Sequence, residues 1–126
     1  MAGTLVIGTL SDGTNSTSST NAIQGSAKAW VTYKSTSAQS IRASFNVSSV
    51  TYNAAGDYTI NFTNALADTN YCTVGMGGSY SGSGYSVLAN YSSVAAPTTT
   101  ACRVREYNPS SPGNFDADYV GFAVFR

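Results

Sequence analysis

Apolar and polar residues alternate with a period of two along most of the chain that follows residue 26. This alternation is typical of β-strands that bury one face. No segment repeats apolar residues at helical spacing over three turns. The pattern therefore predicts an all-β domain. The predicted strands span residues 27–34, 41–52, 57–63, 71–77, 85–91, 98–107 and 118–125.

The connections between these runs favour antiparallel pairing. Residues 53–56 (Asn-Ala-Ala-Gly) form a tight turn in which Gly56 can adopt a positive φ, and this predicts a β-hairpin. Short strands with turn residues between them favour an antiparallel β-sandwich, a jelly-roll-like knob. The last run is apolar on both faces, so we expect it to be buried on both sides, within a subunit or between subunits.

The first 26 residues have a different pattern. Residues 4–10 predict a short strand, and residues 11–26 are mainly Ser, Thr, Asn and Gly. That composition is typical of an extended segment or linker. The sequence therefore predicts an extended N-terminal arm, residues 1–26, and a β-sandwich body, residues 27–126.

Composition narrows the classes of function. At 126 residues the chain has the size of one domain, and only 10% of its residues are charged. Six basic and six acidic residues give a net charge of zero, and the basic residues are scattered, so we expect neither a nucleic acid nor an anionic membrane as partner. We expect no secretory signal at residues 1–8 and no membrane span. A nearly neutral surface favours association with other proteins.

Two cysteines, Cys72 and Cys102, are the only thiols, and the chain contains no histidine. They cannot form a conventional zinc site alone, so they are either reduced and packed as small apolar residues or joined in a disulfide. Without histidine, Ser-His and Cys-His nucleophilic pairs are excluded. We expect no catalytic residues, no metal and no cofactor.

Carboxylates are the remaining candidates for chemistry. Asp116 and Asp118 would share one side of a strand, where they could bind a cation or act as an acid/base pair, or simply lie at a solvated edge. A small polysaccharide hydrolase would need them in a cleft. The glycines of residues 75–84 lack the Lys and helix of a phosphate-binding loop and predict a mobile surface loop. The other acidic residues are interpreted as turn or surface positions: Asp12, Asp57, Asp68 and Glu106.

Tyrosines lie among Ser, Gly and Asn in the second half of the chain. This composition is typical of adaptable binding surfaces and would also suit stacking against sugars. The same tyrosines could equally fill ordinary strand positions. The candidate surface-binding residues are Tyr80, Tyr85 and Tyr107.

Five segments of the chain form a linked set of motifs. They are Gly25–Val31 (GSAKAWV), Ile41–Val50 (IRASFNVSSV), Gly56–Thr63 (GDYTINFT), Ala65–Tyr71 (ALADTNY) and Asp118–Phe125 (DYVGFAVF). In this order they resemble a domain found in tail-fibre and other virion structural proteins of tailed bacteriophages, particularly marine and cyanobacterial ones. The resemblance covers roughly residues 25–126.

This resemblance implies a non-enzymatic, β-rich knob on a virion, assembled in the host cytoplasm and commonly homotrimeric. Fibre proteins place the domain after a long shaft, whereas here only residues 1–26 precede it. This difference favours a capsid decoration (cement) protein or head fibre that binds other virion proteins, of capsid or tail, through its arm. The alternative is a tail-fibre tip or small tail appendage that binds host-surface glycans.

Overall fold

The computed structural model of the protein describes residues 3–36, 39–78, 85–109 and 112–126. Eleven strands and one short helix lie within these ranges. In chain order they are β1 (Thr9–Ser11), β2 (Ser16–Ser18), α1 (Ser19–Gly25), β3 (Ala27–Lys34), β4 (Ser40–Phe45), β5 (Val47–Ala54), β6 (Asp57–Phe62), β7 (Cys72–Gly78), β8 (Tyr85–Asn90), β9 (Ala101–Asn108), β10 (Gly113–Asn114) and β11 (Tyr119–Phe125).

Nine of the strands form one antiparallel sheet in the body. Its order is β4-β3-β11-β7-β8-β9-β6-β5, with β10 paired to β9. The prediction of an antiparallel all-β fold is therefore confirmed. The predicted β5–β6 hairpin is also confirmed, and its Gly56 has a φ of 65°.

A corner at Asn46 curls this sheet almost closed, so that its two halves face each other as in a sandwich. The prediction of one strand over residues 41–52 is wrong, because Asn46 has a left-handed φ of 54° that ends β4 and starts β5. β4 then pairs with β3 and β5 with β6, at opposite ends of the strand order. The corner thus brings the two ends of the sheet together.

The Asn46 side chain fills the corner with hydrogen bonds. Its Nδ2 donates to the Lys28 carbonyl at 3.1 Å and to the Asn64 carbonyl at 3.2 Å. Its Oδ1 accepts from the Asn64 backbone N–H at 2.8 Å. Asparagine tolerates a left-handed φ better than most residues, and here its amide also joins β3 to the segment after β6.

The core lies between the two halves of the curled sheet. Inward residues of β3 and β6 meet there, and the rings of Tyr33 and Tyr58 lie 5.7 Å apart. Cys102 is buried among them and Cys72 is exposed, and both are free thiols. The buried apolar residues are Ala29, Val31, Tyr33, Val47, Tyr58, Ile60, Phe62, Leu66, Tyr71, Cys102, Val104, Ala117, Val120, Phe122 and Val124.

The arm contains more regular structure than its sequence predicts. The strand expected at residues 4–10 begins only at Thr9, where β1 pairs with β2 in a small hairpin. Helix α1 follows, and the Ser18 hydroxyl accepts a hydrogen bond from the Asn21 N–H at 3.1 Å. Serine is a preferred N-cap residue, so this polar run starts a helix although it has little helical periodicity.

We expect substitutions at Asn46 to separate the contribution of its side-chain hydrogen bonds from the cost of its left-handed backbone conformation. Asn46→Gly should lower the free energy of unfolding by about 2 kcal/mol, because it removes the side-chain hydrogen bonds but accepts the positive φ. Asn46→Ala should cost about 1 kcal/mol more, because it adds left-handed strain. Urea unfolding followed by Trp30 fluorescence measures both. Equal losses would show that backbone strain at the corner is negligible.

Candidate functional site

Two of the three predicted surface tyrosines lie close together on the outside of the sheet. Tyr85 is on β8 and Tyr107 on β9, where Val87 pairs with Tyr107. The Arg105 guanidinium lies 4.9 Å from the Tyr107 ring centre and 5.6 Å from that of Tyr91. Arg105 and these two rings form an aromatic–cation stack that the tyrosine pattern alone does not identify. Tyr80 lies outside the described residues.

Asp116 and Asp118, for which the sequence left open a shared site or a solvated edge, have different hydrogen-bond partners. Asp116 Oδ1 accepts hydrogen bonds from the Gly56 N–H at 2.7 Å and the Tyr58 hydroxyl at 2.5 Å. Asp118 Oδ1 instead accepts from the Thr36 hydroxyl at 3.0 Å. Each carboxylate therefore fastens a different part of the C-terminal segment to the body.

Glu106, rather than Asp118, is the acidic residue at the centre of a buried polar cluster. It is fully buried, and its Oε1 accepts a hydrogen bond from the Ser86 hydroxyl at 3.1 Å. Its Oε2 lies 2.8 Å from the Ser35 hydroxyl, and that hydroxyl accepts the Ala117 N–H at 2.6 Å. We call these four residues the Glu106 clasp, because they join β9, β8, the end of β3 and the segment before β11.

Burial dominates the electrostatics of the clasp. It raises the pKa of the Glu106 carboxyl to about 7, although hydrogen bonds from Ser35 and Ser86 oppose the rise. Burial also raises the pKa of Tyr33 and of Tyr58 above the usual range of a phenol. The Tyr33 hydroxyl is buried and has no hydrogen-bond partner among the described residues. Burial in and around the clasp thus favours the neutral forms of Glu106, Tyr33 and Tyr58, as expected where water is excluded.

Glu106 and Asp57 correct the interpretation of isolated acidic residues as turn or surface positions. Asp57 is also buried, and it accepts two hydrogen bonds from Arg103, at 2.8 and 2.6 Å. The alternation along β9 predicts that Glu106 is buried, because Glu106 shares the inward face with Cys102 and Val104. Its hydroxyl partners are distant in sequence, so the alternation does not identify them.

Three glycines of the predicted surface loop, Gly75, Gly77 and Gly78, belong to strand β7, and the first two also lie in the predicted strand of residues 71–77. Gly75 and Gly77 point inward, and a Cβ on Gly77 would lie 2.6 Å from Glu106 Oε1. Glycine is therefore required there because the clasp occupies the space that a side chain would fill. Residues 79–84 of that predicted loop lie outside the described residues.

The arm exposes apolar side chains that the body does not cover. Val6 is 89% exposed, Leu5 81% and Ile23 65%. Together with Ile7 and Leu10 they line a cavity of about 400 Å³. These residues form a surface that we call the arm patch, which includes the segment before β1, strand β1 and helix α1.

The described ranges hold neither a metal-binding cluster nor a membrane-spanning helix. They contain no group of three Cys, Asp or Glu residues placed to hold a metal ion. Within the same ranges, no helix is both long and apolar enough to cross a membrane.

We expect Glu106 to make the stability of the protein depend on pH. Its pKa rises from an ordinary 4.5 to about 7 in the fold, so the folded state binds this proton more tightly than the unfolded state does. The contribution of Glu106 to the free energy of unfolding is therefore fully present below pH 4.5. It is lost as the pH rises to about 7, by up to about 1.4 kcal/mol per pH unit.

Glu106→Gln removes the titrating group and should remove this slope. Urea unfolding of both proteins between pH 4.5 and 8 should give curves that separate as the pH rises. Parallel curves would show that Glu106 does not titrate in this window.

Comparison of the chain with known protein families, with curated proteins and with solved structures finds no match. The function is therefore inferred from the surfaces described above and from the motifs of residues 25–126.

Proposed function

We propose that this chain is a non-enzymatic structural protein on the surface of a bacteriophage particle, a trimeric capsid decoration protein or head fibre attached through residues 1–26. The resemblance of residues 25–126 to virion domains supplies the viral context and the trimeric state. The arm patch carries the proposal that the protein attaches by its arm.

The arm patch needs a partner because the arm has no core of its own. None of the described arm residues is buried, and the apolar side chains of Leu5 and Val6 are almost fully exposed. Burial of such side chains stabilises an interface by roughly 1.5–3 kcal/mol each. The β1–β2 hairpin and α1 hold these residues on one local surface, so the arm is ordered enough to bind an apolar groove on another protein.

The charge of the arm indicates what kind of surface it binds. Asp12 is the only charged residue in residues 1–26, and its carboxylate accepts N–H groups of the hairpin turn at 2.9 and 2.7 Å. Attachment therefore depends on apolar contact and not on ion pairs. Such contacts are insensitive to salt, unlike those of a charged arm.

The hydrogen bonds of the carboxylates Glu106 and Asp116 support a structural role. Glu106 and Asp116 are engaged by hydroxyl and backbone groups of the fold, where they fasten the C-terminal segment. A glycosidase would instead direct a pair of carboxylates towards a sugar in a cleft.

We expect the arm to be required for attachment to particles. Deletion of residues 1–24 should abolish co-sedimentation with particles of the phage that encodes the chain, and should leave the body folded by circular dichroism. Val6→Asp should weaken attachment at least about tenfold, because it places a charge within an apolar contact.

Thr4→Asp is the matched control, since it adds the same charge at a polar position two residues away. It should leave attachment unchanged, and attachment of the natural protein should persist at 0.5 M salt. A deletion variant that still coats particles would overturn the proposal.

A second candidate is a tail-fibre tip or small tail appendage that binds host-surface glycans. The stack of Arg105 on Tyr107 and Tyr91 favours it, because aromatic faces beside a hydrogen-bonding cation are suited to sugars. Copy number distinguishes the two functions, since decoration requires hundreds of copies per particle and an appendage only a few trimers.

For this second function, we expect Tyr107→Ala to lower affinity for host polysaccharide at least about tenfold, because it removes a ring of the stack. Binding to an array of bacterial surface glycans measures the effect. Tyr52→Ala is the control, because Tyr52 is exposed to solvent, by 47%, but lies on β5, away from the stack. Equal loss in both variants would argue against a specific site at Tyr107.

A further inference from the structure

The outer surface of the curled sheet has two halves of opposite character. On β5, β6 and β9 most outward residues are polar, and many of them are hydrogen-bonded to one another. Asn61 Nδ2 donates to the Ser49 hydroxyl at 3.0 Å and to the Thr51 hydroxyl at 2.9 Å, and Arg103 pairs with Asp57. The outer surface of this half is therefore suited to contact with water.

Across the middle of β4, β3, β11 and β7, and at the start of β8, most outward residues are apolar, and the outward Lys28 and Lys34 of β3 lie on either side of them. The strand register places them in two neighbouring rows. One row runs Phe45, Trp30, Ala123, Val74, and the next runs Ala43, Thr32, Gly121, Met76, Val87. We call these nine residues the apolar face, and none of them is charged.

The apolar face is exposed in the single chain. Met76 is 73% exposed, Phe45 55% and Val74 51%. With Trp30, Val87 and the adjacent Tyr119, the exposed parts of the large side chains amount to roughly 600 Å², within the ~600–1,000 Å² per partner of a stable protein interface. The largest apolar patches on monomeric proteins are usually smaller than this or functional.

A groove runs along the middle of this face. Gly121 and Ala123 of β11 form its floor, and Trp30 and Met76 stand on either side. Its volume is about 490 Å³, enough for several apolar side chains. The face therefore offers both projecting side chains and a recess that can receive side chains of another copy.

We propose that the apolar face packs against further copies of this chain. The inference deepens the proposed function, because it names the surface through which the proposed trimer forms. Interfaces between identical subunits are more apolar than those between proteins that also exist apart, and the two rows hold one polar side chain, Thr32. A net charge of zero adds no repulsion between copies.

Met76→Glu tests this assignment on the full chain. Met76 is mostly solvated in the single subunit, so the variant should fold normally, and circular dichroism with thermal melting checks this. A carboxylate buried at the centre of the interface should raise the dissociation constant of the oligomer at least about 100-fold. Thr51→Glu, which adds the same charge to the polar half, should leave it unchanged. Mass photometry and sedimentation velocity measure the oligomer.

Each outcome bears on the proposal. The proposal is supported if the natural protein and Thr51→Glu associate to the same extent and Met76→Glu is monomeric. A monomeric natural protein at 10 µM, or equal association in all three, overturns it. If deletion of residues 1–24 yields monomers, the copies associate through their arms and not by packing one apolar face against another, and the proposal is wrong. Particle attachment is scored separately, so a monomer that still coats particles contradicts only this inference.

Discussion

The left-handed turn at Asn46 is the constraint on which the rest of the body depends. A single sheet buries one face only if it folds onto itself, and the corner achieves this by sending β4 to β3 and β5 to β6. Tyr33 and Tyr58 then meet in the interior although they lie on opposite halves of the sheet. A side chain without hydrogen-bonding groups could adopt the turn only at a cost and would leave the Asn64 N–H without its acceptor.

The Glu106 clasp adds a second, chemically different constraint. Hydrophobic packing is non-directional, whereas the clasp needs specific hydroxyls from Ser35 and Ser86 at specific positions. It thereby fixes where the segment before β11 crosses the body. The raised pKa of Glu106 is the consequence of placing a carboxyl where water does not reach.

Alternation predicted most of the strands, because period-two patterning reports directly which residues share a face. The strands around Val31, Ile60 and Val104 were placed within a few residues, and Gly56 identified the hairpin. The break at Asn46 was missed because Val47 continues the alternation of β4. The clasp was missed because its partners come from distant strands, and α1 because a single cap starts it.

The same alternation explains why the apolar face was not predicted as a surface. A strand with apolar residues on one face is assigned an inside and an outside, but β11 carries them on both. The sequence left open whether the second face of β11 is covered within the subunit or by another subunit. The structure places Val120, Phe122 and Val124 inside, and Gly121 and Ala123 in an outward groove that the subunit does not fill. Because the other half of the same sheet is covered with bonded Asn, Ser and Thr, outward apolar residues are not a general property of this low-charge chain. They mark one side of the body as the surface for which we propose another copy of the chain as partner.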